Sequence, residues 1–243
     1  MSHRHLREHL PLAPRQEENF HWRGKELLRL EGFTDAVFAF AVTLLIVALE
    51  VPHTYEGLIH VMRSFPAFVA CFGILMAFWS AHYRYFRRYG LEDGFTLMAT
   101  LGVLVLVLFS VYPLKFLFTL LFENLFHFSA EESSHALGRK EAQMLYGLYG
   151  GGFAGIWLLY ALMYQHALKL RQVLGLKEAE VIKTRASLYE YLTSAGVALT
   201  SVILAFATSS DSAPGLVYIA LGPLQIINIK WHSRKIKRAH GRS

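Results

Sequence analysis

Arg29 and Asp35 lie six residues apart at the start of a long apolar segment, in the sequence RLEGFTD at residues 29–35. The apolar segment that follows, residues 36–49, contains one further polar residue, Thr43, and no charge before Glu50. An ionised carboxylate at the edge of a hydrocarbon region is costly unless it is paired or hydrated, so Asp35 is a candidate functional group. The alternative interpretation is a helix-end carboxylate that stays hydrated among lipid headgroups.

The apolar segment also carries side chains at helical spacing. Steps of three and four residues place one set on a single face that continues from Asp35, namely Ala36, Phe40, Thr43, Leu44 and Val47. In a pore, this face would make a cation-attracting entrance followed by a hydrophobic constriction. Ordinary helix packing or exposure to lipid explains the same periodicity, so the spacing alone leaves both interpretations open.

A second polar group lies in the sequence FWSAHYRYF at residues 78–86. Trp79 and His82 are three residues apart, so they share a helical face at the expected depth of Thr34 and Asp35. Their N–H groups are therefore candidate donors to the Thr34 hydroxyl or the Asp35 carboxylate. The alternative is a belt of interfacial aromatic residues. No metal site is predicted, because His82 has no other ligand at a suitable spacing.

The composition predicts that these residues are positioned by membrane-spanning helices. Of the 243 residues, 54% are hydrophobic and 17% are charged, and the mean hydropathy is +0.33. Six apolar segments are long enough to span a bilayer, at about 30–50, 58–82, 95–121, 145–168, 188–208 and 214–231. We therefore expect an all-α polytopic membrane protein with a polar basic tail at 1–26, a six-helix membrane domain at 27–232 and a basic tail at 233–243.

The basic residues predict the orientation of the chain. Most of the 24 Lys and Arg residues fall in the two tails and in the connections after the second and fourth spans. The positive-inside rule then places both termini in the cytoplasm, which requires an even number of spans. Residues 1–26 are polar and basic, so they do not resemble a signal peptide. The net charge of +6 is expected to set this topology and to contact anionic lipid, with no nucleic-acid partner.

Two motifs together resemble the transmembrane protein 175 family of endolysosomal potassium channels and their six-helix bacterial relatives. They are Arg-x-x-x-Phe-Ser/Thr-Asp, matched by Arg29, Phe33, Thr34 and Asp35, and Phe-Trp-x-x-His-x-x-x-Phe at residues 78–86. The resemblance implies a homotetramer with the first helix of each subunit around a pore, unlike the ordinary potassium-channel fold. It places Phe40, Thr43, Leu44 and Val47 along that pore, and it implies permeating potassium ions and no cofactor.

The chain departs from the family pattern at two of these positions. Thr34 replaces the motif serine and keeps the hydroxyl, whereas Phe40 stands where relatives carry Ile or Leu at the first constriction. The chain has one six-helix unit where eukaryotic members have two, which favours a tetramer in a bacterial cytoplasmic membrane. The resemblance assigns Asp35 and Thr34 to the inner vestibule, and we expect Arg29 to bind a carboxylate or a neighbouring subunit.

The function predicted from the sequence is a modestly potassium-selective channel of the leak type, and not an enzyme. Proton conduction through the same pore is an alternative, because Asp35 and His82 both carry protons. From other classes, a small intramembrane enzyme and a non-conducting scaffold also remain open. An enzyme would need a nucleophile or metal cluster at one depth, and Asp35 with His82 does not supply one.

Overall fold

The structure is a computed structural model that describes residues 20–24, 26–47, 52–126, 138–208 and 213–240, with the side chains at 60, 119–126 and 236–240 outside the description. Residues 1–19 of the predicted N-terminal tail, the end of the first predicted span and the last three residues lie outside these ranges. Every regular element in the described ranges is helical. The elements are α1 Arg29–Val47, α2 Tyr55–Arg63, α3 Phe65–Tyr89, α4 Gly94–Phe126, α5 Arg139–Lys169, α6 Glu178–Ala207, α7 Ala213–Leu216, a 3₁₀ turn Val217–Ala220 and α8 Leu221–His240.

Five of the helices in the described ranges are long and apolar enough to cross a membrane. They are α1, α3, the first 25 residues of α4, α5 and α6. This confirms the prediction of an all-helical, multi-pass membrane protein. The helices extend beyond several of the predicted apolar segments; α6, for example, begins ten residues before the predicted start at 188. An apolar run indicates only the part of a helix that lies in hydrocarbon. The polar ends of a helix are therefore missed when spans are predicted from apolar runs.

The predicted sixth span at 214–231 is a broken segment and not one continuous apolar helix. Its apolar residues are divided among α7, the 3₁₀ turn and the first half of α8, while the second half of α8 carries Lys and Arg. The segment still runs antiparallel to α6. Ser201 Oγ donates to the Pro214 carbonyl at 2.7 Å, and Asn228 Nδ2 donates to the Ala186 carbonyl at 3.0 Å. Residues 233–240 continue α8, so the predicted C-terminal tail is largely helical.

The second predicted span is displaced along the chain. A break at Ser64 separates the short α2 from α3, and α3 has Pro66 in its first turn, where the missing N–H costs nothing. The helix ends at Tyr89 and is capped by Gly90, whose positive φ of 60° suits a glycine and whose N–H donates to the Phe86 carbonyl. Arg84, Arg87 and Arg88 therefore lie on α3, although the sequence analysis assigned them to a loop.

Aromatic side chains hold α3 against α5 and α6. Tyr85, Tyr89, Tyr160, Tyr164 and Tyr191 are all fully buried, and ring centroids lie 5.5 Å apart for Tyr85 of α3 and Tyr164 of α5 and 5.1 Å apart for Tyr164 and Tyr191 of α6. The Tyr160 hydroxyl also donates to the Phe78 carbonyl at 2.8 Å. Buried aromatic pairs of this kind stabilise packing beyond their area alone. These aromatic contacts fix the position of α3, and α1 packs against α3.

The described part of the N-terminal tail is packed on the bundle. The Phe20 ring is buried at the end of α3, and Arg23 donates to the Leu174 carbonyl and forms a 2.8 Å ion pair with Glu180 of α6. A Cβ at Gly24 would overlap the Phe86 carbonyl oxygen, so only glycine permits this close approach. Residues 20–24 therefore link the start of α1 to the connection between α5 and α6.

Candidate functional site

The α1 helix has one packed face and one open face. Its buried residues recur at steps of three and four and pack against α3 and α4; they are Glu31, Thr34, Phe38, Ala41 and Leu45. The opposite side exposes large apolar side chains, with Phe33, Phe40 and Val47 exposed by 53%, 55% and 68%. An apolar helix face of this size needs a covering surface, which is lipid or another subunit.

Three of the four predicted pore positions share this open face. Phe40, Thr43 and Val47 are exposed, as is Ala36 one turn earlier. Leu44 is only half-buried and packs partly against the core, because it lies next to the buried Leu45. The Thr43 hydroxyl donates to the Ala39 carbonyl one turn back at 3.1 Å. The open face of α1 is defined below as Phe33, Ala36, Phe40, Thr43 and Val47.

Asp35 lies at the edge of the open face and is tied to α3. The Trp79 indole Nε1 donates to Asp35 Oδ1 at 2.8 Å, and the Trp79 ring stacks on Tyr83 with centroids 5.5 Å apart. A hydrogen bond to an ionised carboxylate is stronger than one between neutral groups. The contact joins the two sequence motifs in one site.

Arg29 does not bind Asp35 in this structure. It is exposed and makes no hydrogen bond or ion pair with any residue in the described ranges. A helix turns by about 100° per residue, so residues six apart lie roughly 120° from each other around the axis. Arg29 is therefore not the partner of Asp35 within the subunit, and its expected contact with another carboxylate or with a neighbouring subunit stays a prediction.

A different ion pair fastens α1 to α3. Arg87 Nη2 contacts Glu31 Oε1 at 2.7 Å, with side-chain exposures of 16% and 3%, and Arg87 Nη1 also donates to the Gly24 carbonyl. The sequence analysis did not identify either residue. The available signal was that Glu31 lies three residues before Thr34 on the face opposite the apolar stripe.

Thr34 and His82 are interior residues. Thr34 is fully buried and its hydroxyl donates to the Leu30 carbonyl at 2.8 Å, so it does not reach a vestibule. His82 is 1% exposed, lies against the rings of Phe38 and Phe86, and its Nε2 has no hydrogen-bond partner in the described ranges. The hydrogen bond predicted from a His82 ring N–H to Thr34 or Asp35 is absent there, because the ring packs among aromatic side chains instead.

The described ranges contain no group of three or more His, Cys, Asp and Glu side chains able to hold a metal ion. The arrangement at α1 is a carboxylate beside an apolar face. A carboxylate in such a place attracts cations, and an apolar face beside it offers no partner for water.

Comparison with known proteins identifies the family. Residues 29–113 match the family described as "Endosomal/lysosomal potassium channel TMEM175". A protein of Marivirga tractuosa named "Potassium channel" is 34% identical over 232 residues, which cover 90% of this chain and 93% of that protein. A potassium channel of Chamaesiphon minutus is 26% identical over 186 residues, covering 73% of this chain and 83% of that protein.

A solved structure has the same fold over nearly the full chain. It is a crystal structure of a variant of the potassium channel MtTMEM175 in complex with a Nanobody-MBP fusion protein. The TM-score is 0.79 at 30% identity, and the match covers 90% of this chain and 99% of that one. The chain therefore belongs to the TMEM175 family.

Proposed function

We propose that this chain is the subunit of a potassium-selective channel in a cell membrane, most simply the bacterial cytoplasmic membrane. Both curated relatives are named potassium channels, and the family is one of ion channels and not of enzymes. The chain also has the multi-pass helical architecture that such a function requires.

One observation carries the proposal, namely the open face of α1. Within the described part of the subunit no helix covers this face, although α1 is the helix that contains the family motif. Four subunits arranged with α1 at the axis would turn Phe40, Thr43 and Val47 toward a common pore. The same arrangement would leave Arg29 near a neighbouring subunit.

The residues on this face support an apolar constriction. A ring of Phe40 side chains followed by Val47 would exclude water from a narrow neck, with Leu44 behind it, and ions do not cross a dry neck easily. Asp35 lies at the edge of the open face, near the start of α1. Its negative charge would raise the local concentration of cations at the entrance of the pore. Trp79 is a positioning residue, because it holds this carboxylate on the side of α3.

Selectivity in this arrangement is modest. The sequence lacks the Thr-Val-Gly-Tyr-Gly segment whose carbonyl oxygens replace the hydration shell in ordinary potassium channels. An apolar neck favours potassium only because potassium releases water more readily than sodium. Proton conduction gains little support, since His82 is enclosed behind α1 and is not on the open face.

The test is ion flux into liposomes that contain the purified protein. Potassium, sodium and proton gradients are imposed separately, with protein-free liposomes as the control. The proposal predicts potassium flux above the control and faster than sodium flux. Equal potassium and sodium fluxes would contradict the selectivity, and fluxes equal to the control would contradict conduction.

A further inference from the structure

A large apolar cavity lies in the half of the bundle next to the α4–α5 connection. Its volume is about 830 Å³, and its walls come from α3, α4, α5 and the segment 215–221. None of its lining residues belongs to α1, and most of them lie outside residues 29–113, the part matched by the family. The cavity is therefore separate from the proposed pore.

The residues that line the cavity offer few hydrogen-bond partners to water. Of the sixteen lining residues, four carry a hydroxyl group and none carries a charge. Two of these hydroxyls are already used within the protein: Ser110 Oγ donates to the Leu106 carbonyl at 2.6 Å, and Tyr149 accepts the Leu117 N–H at 3.3 Å. A buried water molecule needs about two to four polar partners. An apolar wall of this size suits a hydrophobic ligand.

The dimensions of the cavity indicate which hydrophobic ligand fits. Along α5 the lining residues run from Tyr146 to Ile156, which at a rise of about 1.5 Å per residue spans roughly 15 Å. That is half of the hydrocarbon thickness of a bilayer, about 30 Å. One lipid acyl chain occupies this depth, since the chains of each leaflet fill half of the hydrocarbon core.

The cavity opens to the surface of the bundle at the segment 215–221. Leu216 and Ile219 belong to the lining and are exposed by 58% and 69%. Two connecting segments outside the described ranges adjoin the lining helices, and both fit the cavity poorly, because 127–137 contains two glutamates and three serines and 209–212 reads Ser-Ser-Asp-Ser. Membrane lipid is the neighbour whose acyl chains match both the apolar walls and the length of the cavity.

We propose that this cavity is a binding site for one acyl chain of a membrane phospholipid. The chain enters beside Leu216 and Ile219 and lies between α4 and α5 against Phe153. Phe78 lines the cavity on α3 and directly precedes Trp79, so the site supports the part of α3 that holds Asp35.

The first experiment is native mass spectrometry of the protein purified in mild detergent. Leu117→Trp fills the cavity from α4, and Val105→Trp is the matched control, because Val105 is on the same helix, is 66% exposed and does not line the cavity. We expect one phospholipid per subunit on the wild type and on Val105→Trp, and its loss from Leu117→Trp. Absence of phospholipid from the wild type, or equal retention by both variants, would overturn the proposal.

A second experiment uses the unchanged protein, so it does not depend on the folding of a variant. A phospholipid with a photoactivatable diazirine in its acyl chain is added in liposomes and irradiated. Leu114 and Tyr149 line the cavity and are each 8% exposed, so lipid that merely surrounds the protein does not reach them. Labelling of these two residues supports the proposal. Labelling confined to exposed residues would overturn it.

Discussion

At the scale of residues, the site separates two carboxylates that lie four positions apart on α1. Glu31 takes the charged partner, Arg87, whereas Asp35 is bound by the neutral Trp79 indole and by no Lys or Arg in the described ranges. An ion pair would cancel the field of a carboxylate, but an N–H donor leaves its negative charge in place. Asp35 is therefore the carboxylate suited to attract a cation.

The Asp35–Trp79 contact predicts an energetic coupling between α1 and α3. Trp79→Phe removes the N–H donor, and the lost hydrogen bond to a charged acceptor is worth about 1.5–3 kcal/mol. We expect the double variant with Asp35→Ala to be less destabilised than the sum of the single variants by about that amount, as measured by denaturant unfolding in detergent. Trp157→Phe is the control, because the Trp157 Nε1 has no partner in the described ranges. Strict additivity for Trp79 and Asp35 would contradict the contact.

Phe40 is predicted to hold the resting channel mostly closed. Phe40→Ala widens and wets the neck, so potassium flux should rise roughly tenfold, which requires the barrier to fall by only about 1.4 kcal/mol. The preference for potassium over sodium should fall as well. The matched control is Phe109→Ala on α4, where Phe109 is 59% exposed and Phe40 is 55% exposed. If both variants conduct like the wild type, Phe40 does not form the constriction.

At the scale of elements, α1 is attached to the bundle by one side only. Glu31 and Thr34 are buried against α3 and α4, while the residues of the open face stay exposed among the described parts of the chain. The helix therefore relies on few polar contacts near its start. A substitution that removes one of these contacts should weaken the packing of α1 against α3 and α4.

Arg87 is the most critical of these contacts. Arg87→Met leaves the Glu31 carboxylate buried without its partner, which typically costs about 3–5 kcal/mol. We expect a lower unfolding temperature and partial loss of the oligomer in size-exclusion chromatography. Adding Glu31→Gln should recover most of the loss, and Arg171→Met, at an exposed arginine, should have little effect. A normal profile for Arg87→Met alone would show that the pair is not structural.

The turn between α3 and α4 predicts a dependence on pH. Asp93 caps α4 by accepting the Thr96 N–H at 3.2 Å, and its carboxylate also contacts His166 of α5. Partial burial raises the pKa of Asp93, but the hydrogen bonds from Thr96 and His166 outweigh it and lower the pKa below the usual 3.8. The stabilisation is therefore present above about pH 4 and is lost as the pH falls through the lowered pKa.

The measurement is thermal unfolding of the wild type and Asp93→Asn across the acid range. Asn still caps the helix but carries no charge, so the variant should be less stable at neutral pH by about 0.3–1 kcal/mol, the usual contribution of a negative charge at a helix N-terminus. The difference should shrink below pH 4 as the wild-type carboxylate takes up its proton. A constant difference at every pH would mean that the charge of Asp93 contributes nothing.

Local patterns predicted most of the fold but not all of its contacts. Apolar runs located the long helices, and the depth of Trp79 relative to Asp35 located their contact, because both depend on helical spacing alone. The same spacing did not identify Arg87 as the partner of Glu31, nor the packing of His82, since a partner on another helix depends on how the helices rotate. The break in the sixth segment was also not predicted. A mean hydropathy over the segment does not take account of Pro214, Gly222 and Pro223, which interrupt a helix.

At the scale of the whole molecule, a chain with the fold of a solved potassium channel exposes one face of its motif-bearing helix. The central claim is that this face lines the ion pathway and is not merely covered by lipid. The two alternatives differ in one property that an experiment can reach. Only a pore-facing side chain blocks the flux when it is chemically modified.

Silver ions and an introduced cysteine test this claim directly. The chain has a single cysteine, Cys71, which is fully buried, so the wild type should be insensitive to added Ag⁺. Phe40→Cys and its control Phe109→Cys are reconstituted separately, and potassium flux is recorded before and after Ag⁺ addition. We predict that Ag⁺ abolishes the flux through Phe40→Cys and leaves Phe109→Cys unchanged. An unaffected Phe40→Cys, with normal potassium flux before and after Ag⁺, would contradict the claim that the open face of α1 lines the pore.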